Sequence, residues 1–276
     1  MNGRLLLRRV RQLYGEKRLP RAAAALSFYL TATVFPLLII LYTLLGQSPA
    51  RTGELLSLGR ELMAGRSVEI LGEFLRYVEG NNSSAMTTAA LLLLVSSASA
   101  ALRTLGATVG DLQGKQKYRG LRDLLFSVIF SLVFTAAIYF AVLVMLSGET
   151  FLTWLSAYLP RFDAAAAWRA LRYPLLAGID YAIICAAYRL AMPDEARYPI
   201  HTGALAATGA LLVSCLAFSA VIGASARYPL VYGSLASVIL LMLWLQTCCL
   251  VICTGAALNV ALRDERREEK QRRFSP

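Results

Sequence analysis

Residues 228–262 contain no Asp, Glu, Lys or Arg, an uncharged run of 35 residues. About 20 apolar residues carry a helix across a bilayer, so this run spans one with length to spare. It is not uniformly apolar. Gly233, Ser234 and Ser237 open it, Gln246 and Thr247 lie near its middle, and Gly255 and Asn259 close it. A solvated charge block, RDERREEKQRR, follows directly. The pattern predicts a last transmembrane helix whose small and polar positions face protein, with the remaining chain packed against it.

Composition agrees with this reading. Charged residues make up 16% of the chain and apolar residues 57%, against about 25% charged in an average soluble domain. A net charge of +11 is then explained by basic residues gathering in cytoplasmic segments rather than by nucleic acid. Aromatic residues are too sparse in the basic loops for RNA binding. Cys185, Cys215, Cys248, Cys249 and Cys253 all fall in apolar runs without CxxC or Cys/His spacing, which predicts small core residues, no disulfide and no metal site. The sequence implies no cofactor.

Read in order, residues 1–21 form a basic amphipathic lead with Leu5, Leu6, Val10 and Leu13 on one helical face, expected to lie on the cytoplasmic leaflet against anionic headgroups. Residues 22–262 form the membrane domain. Its six expected spans are about 22–46, 85–105, 124–147, 173–192, 200–222 and 233–262. Residues 263–276 form a charged cytoplasmic tail. In the first span, Pro36 is expected to kink the helix, with Ser27, Tyr29, Thr31 and Thr33 available to repair its hydrogen bonding. Between the first two spans, Leu55, Leu58 and Leu62, then Ile70, Phe74 and Val78, recur at helical spacing and predict two amphipathic interfacial helices. Ser96 to Ala101 are all small, which allows close helix approach, and Arg103 marks the end of the second span, with residues 106–123 a basic loop. Residues 148–172, including Trp154 and Trp168, are expected to form an outer loop with an aromatic belt.

With six spans both termini share one side. That side carries 20 of the 28 Lys and Arg residues, so both termini are expected in the cytoplasm. The fold class is therefore all-α, a polytopic membrane protein with six transmembrane helices and amphipathic interfacial helices.

Several polar positions are candidates for function. Asp180 is the acidic residue placed well inside a span. A charge there costs roughly 2.5–3.5 kcal/mol even on the lenient insertion scale, so it must face the bundle interior, be protonated or have a partner. Tyr181, Tyr188, His201 and the third-span hydroxyls are the candidate partners. Two readings stand side by side: a substrate, cation or proton site, and a polar lock between helices. Ser127, Ser131, Thr135 and Tyr139 repeat every four residues and predict either interhelical hydrogen bonds or a cavity wall. Gln246 and Asn259 add polar groups in the last span. Gly203, Ala207, Ala210, Ser214 and Ala217 predict a continuous packing face and the tightest helix contact. Such faces suit contacts within one chain or between copies in a homo-oligomer. His201, the single histidine, is expected at the cytoplasmic interface. No GxSxG, HExxH or Walker loop occurs, so an enzyme is not expected.

Four blocks together resemble one family. They are AAALSFYLTATVFPLLIILYTLLG, VSSASAALRTLGATVGDL with YRGLRD, MPDEARYPIHTGALAAT, and VYGSLASVILLMLWLQTCCLVICTGAALN. These resemble the signatures of the YihY/BrkB family of bacterial inner-membrane proteins, once labelled ribonuclease BN. The chain departs from that pattern at Ala257, where the family commonly has Glu in G-A-E-x-N. It also lacks the Trp often found before S-A-S. The resemblance implies a six-span inner-membrane protein linked to envelope functions and, in one branch, to lipid export. It implies no nuclease residue in this chain. Two functions are expected from residues and resemblance together: transporter-like translocation of a lipid or small molecule, and a non-transporting scaffold for envelope proteins.

Overall fold

A computed structural model describes residues 3–45, 53, 56–57, 65–81, 83–114, 121–156, 164–191, 200–224 and 235–274. Among them are eight helices: α1 (Gly3–Glu16), α2 (Leu19–Leu45), α3 (Gly65–Asn81), α4 (Ser84–Gln113), α5 (Leu121–Ser156), α6 (Ala164–Ala191), α7 (His201–Ala224) and α8 (Leu235–Phe274). Strands are absent from the described residues. In lipid, a helix satisfies its own backbone, which is why apolar segments of this length take that form. Six of the helices are long and apolar enough to cross a membrane: Leu19–Leu44, Ser84–Gln113, Ser127–Val144, Ala170–Ala191, His201–Phe218 and Ile239–Arg266.

The second half of the last span is the centre of the bundle. Cys249, Cys253, Ala256, Ala257, Val260 and Ala261 are each at most 3% exposed. Around them pack Leu13 of α1, Leu19 and Ala23 of α2, Leu105 and Val109 of α4, Tyr188 of α6, and Ala204 and Ala207 of α7. The bilayer-facing sides remain apolar, as with Leu132 and Val133 of α5 and Leu212 and Val213 of α7.

Three segments differ from expectation. The first is α1, whose apolar side, Leu6, Val10, Leu13 and Tyr14, packs on the core instead of on lipid. Its exposed side carries Arg8, Arg9 and Arg11, and Arg9 reaches Asp264 of α8 at 3.7 Å. The second is the expected loop after residue 105, which is helix through Gln113. Leu105, Val109 and Leu112 recur at helical spacing and are buried, and Gly114 ends the helix in the left-handed region at φ 66°, where a residue without Cβ is favoured. The third is the expected outer loop, since α5 runs to Ser156 and α6 begins at Ala164. Trp168 is 7% exposed inside α6, packed rather than displayed at an interface.

At the end away from α1, α3 caps the bundle. Leu75 and Val78 join Tyr42 of α2, with Phe74, Ile39, Leu56 and Met86 around them, and Phe35 meets Phe74 ring to ring at 5.5 Å. The Leu55, Leu58 and Leu62 repeat lies outside the described residues. Helix α2 is continuous through Pro36, and Pro36 is buried. The neighbouring hydroxyls do not reach Ala32, whose carbonyl loses its amide partner to the proline. Ser27, Thr31 and Thr33 donate instead to the carbonyls of Ala24, Ser27 and Tyr29.

The packing of α1 is testable. Leu13→Ala removes a buried anchor and should weaken docking of α1 by about 2 kcal/mol. The expected result is faster tryptic cleavage at Lys17 and Arg18 in the turn between α1 and α2, with helix content unchanged by circular dichroism.

Candidate functional site

Helix α7 begins with an unmet need. Its N-terminal amides have no partner within the helix, and Ile200, at the capping position, has no side-chain acceptor. Asn259 of α8 supplies one. Its Oδ1 accepts from Gly203 N at 2.7 Å, and its Nδ2 donates to the Ile200 carbonyl at 3.1 Å. The capping group thus comes from a different helix. Asn259 is 2% exposed, so water cannot replace it.

This contact requires near-touching backbones. A Cβ on Gly203 would collide with the Gly255 carbonyl and the Asn259 side chain. A Cβ on Gly255 would lie 2.8 Å from the Gly203 carbonyl oxygen and 2.9 Å from Ala207 Cβ. Both positions therefore exclude larger residues. The third side is closed by Tyr188 of α6, whose hydroxyl donates to the Ile252 carbonyl at 2.5 Å. Ala257, where the resemblance placed a Glu, is fully buried in the same core, and no charge is present there.

A second polar group lies between α6 and α7. Asp180 is half-buried, and its Oδ2 is shielded without a hydrogen-bond partner. Thr208 of α7 faces it and is 5% exposed, yet Thr208 Oγ1 has no aligned partner either. Ser214 Oγ, farther along α7, faces Cys248 of α8 instead. Such groups are costly in an apolar medium and normally satisfied, so the poorly aligned Asp180 and Thr208 between α6 and α7 mark a place able to take a polar guest. Tyr181 and His201 form a separate pair, with Tyr181 Oη 2.7 Å from His201 Nδ1. His201 is exposed at the start of α7.

The remaining candidates are dispersed. Ser127, Ser131 and Thr135 are buried, and their hydroxyls donate to Leu124, Val128 and Ser131 carbonyls of their own helix. Gln246 joins α8 to α2: Ser27 donates to its Oε1 at 2.8 Å, and its Nε2 donates to the Pro20 carbonyl at 3.4 Å. Of the small residues on α7, Gly203 and Ala207 are buried, Ser214 is half-buried, and Ala210 and Ala217 are exposed. The expected packing face is therefore not continuous, although α7 still meets α8 near its far end, where the Phe218 and Trp244 rings lie 6.2 Å apart. In the first turns of α7 the buried side also includes Ala204 and Thr208. Thr208 and the close approach at Gly255 were not among the expected site residues. Thr208 lies two turns after His201, a spacing that places both on one helical face, and that was the available signal.

These features define a polytopic helical membrane protein with polar groups enclosed between its spans. The chain belongs to the virulence factor BrkB family, whose description matches residues 10–275. No curated protein and no solved structure matches it.

The Asn259 cap has a direct test. Asn259→Ala strands the buried Gly203 amide, while the Ile200 carbonyl keeps its bond from Ala204 N at 3.0 Å, and should cost about 1–3 kcal/mol. Asn259→Asp keeps the acceptor but sets a buried carboxyl oxygen against the Ile200 carbonyl and should cost at least as much. Thermal unfolding of the purified protein in nanodiscs checks the order.

Proposed function

We propose that this protein is a transporter-like component of the bacterial inner membrane, moving a lipid or small polar molecule, with both termini in the cytoplasm. It acts by binding and translocation and not by catalysing a reaction. The observation that carries this reading is Asp180. Its carboxyl oxygen Oδ2 and the Thr208 hydroxyl face each other in the membrane-spanning region without a well-aligned hydrogen bond. A purely structural lock would close such groups into well-aligned hydrogen bonds, as Asn259 does. The orientation is supported by the concentration of Lys and Arg on the side that carries both termini. On this reading the membrane's own lipids, with anionic headgroups at the cytoplasmic face, are partners, and nucleic acid is not.

The test is purification in native-lipid nanodiscs with identification of co-purifying molecules by native mass spectrometry. A lipid or metabolite enriched on the wild type should fall about tenfold in Asp180→Asn, corresponding to about 1.4 kcal/mol of binding. Bulk lipid alone on both proteins, with stable protein partners recovered by pulldown, would overturn the transport reading in favour of a scaffold.

A further inference from the structure

Arg103 stands apart from the other basic residues. It lies within the Ser84–Gln113 span, yet its side chain is exposed. Its depth follows from the antiparallel pairing of α2 and α4. Tyr42 clusters with Met86, Ile40 with Ala90 and Leu94, and Thr33 Oγ1 lies 3.0 Å from Ser97 Oγ. The same register places Arg103 level with Ser27. Lys17, Arg18 and Arg21 are exposed at the polar end of α2. Ser27 lies farther along the helix, so Arg103 is about 9 Å deeper than Arg21 at 1.5 Å per residue.

At that depth an arginine ordinarily snorkels to the nearer surface. Here the backbone works against it. Side chains lean toward their helix N-terminus, and the N-terminus of α4 is at the far end of the bundle, so Arg103 starts out toward the bilayer middle. Among the described residues no acidic side chain pairs with it, the ion pairs being Arg9–Asp264 and Arg263–Asp264. Along its face, Ser96 and Ala107 are exposed and Ala100 half-exposed. These short side chains leave room beside the guanidinium. Farther along toward the bilayer middle, Leu92 and Leu93 are 67% and 59% exposed. The strip thus passes from a cation flanked by small residues to a wholly apolar surface, which matches a phospholipid's headgroup and acyl chain.

We propose that this strip of α4 is a bilayer-facing binding site for the phosphate of an anionic phospholipid. The Arg103 guanidinium holds two phosphate oxygens, Ala100 and Ala107 give the headgroup space, and Leu92 and Leu93 contact an acyl chain. Its role in moving lipid rests on the transport reading above, but binding itself does not require transport and is measured separately.

The experiment is native mass spectrometry of the full chain in detergent, titrated with phosphatidylglycerol. Arg103→Gln should weaken the tightest binding event about tenfold. Arg103→Lys should recover part of it, because a lysine is a point charge without the planar fork. Ala107→Phe, which keeps the charge but fills the space, should also weaken binding, so the result does not depend on one variant. Arg21→Gln should leave this event unchanged, and because the polar-site reading is tested by Asp180→Asn in the nanodisc experiment, failure here is distinguishable from failure of that reading. Equal affinity in wild type, Arg103→Gln and Ala107→Phe would overturn the proposal. So would equal weakening by Arg103→Gln and Arg21→Gln, which marks general surface charge. Displacement of the lipid by millimolar inorganic phosphate would assign the site to a soluble anion instead.

Discussion

The structure depends on satisfying backbone amides where no water can reach them. Inside a bilayer a free amide costs several kcal/mol, and helix interiors meet the demand automatically. Helix ends do not. The start of α7 is buried against α8, and Ile200 brings no capping oxygen. Asn259 meets that demand from across the interface. For its short side chain to reach, the two backbones must approach closely, and Gly203 and Gly255 permit this. Tyr188 then fixes α6 to the same turn of α8. One polar contact thereby sets the spacing of three helices.

Against that well-satisfied junction, the seam at Asp180 and Thr208 is conspicuous. The same three helices enclose both, and the same low-dielectric surroundings act on both. At the junction the donors and acceptors are matched. At the seam they face each other without a well-aligned bond. Sites that bind polar guests retain such groups at a cost in stability, which is why the seam, and not the junction, carries the functional proposal. The contrast also separates two kinds of buried polar residue that look alike in a hydropathy profile.

The outer helices follow from the same economy. Helix α1 has an apolar stripe that suits a lipid surface as well as it suits protein, and the core built around α8 wins it. Packing against shaped small residues gives dispersion contacts that fluid acyl chains do not match. The basic face of α1 is left outward, and Arg9 and Asp264 tie the two helices together beyond the apolar core.

Much of this protein was legible in its sequence. Uncharged runs with positions for six spans, the small residues at Gly203 and Gly255, and the isolated Asp180 all express short-range rules: span length, backbone approach and the cost of charge in lipid. Local periodicity did not report which side of each helix faces protein. Ala210 and Ala217 fit the same repeat as Gly203 and Ala207, yet both are exposed, while α7 keeps contact with α8 through Phe218, whose ring lies 6.2 Å from that of Trp244. The same limit hid the burial of Trp168, the continuation of α4 to Gln113 and the choice of α8 over lipid by α1. Asn259 as a cap for Ile200 and Gly203 joins residues almost sixty positions apart. That pairing is decided by tertiary packing, because a hydrogen bond between distant segments exists only once the chain has brought their backbones together.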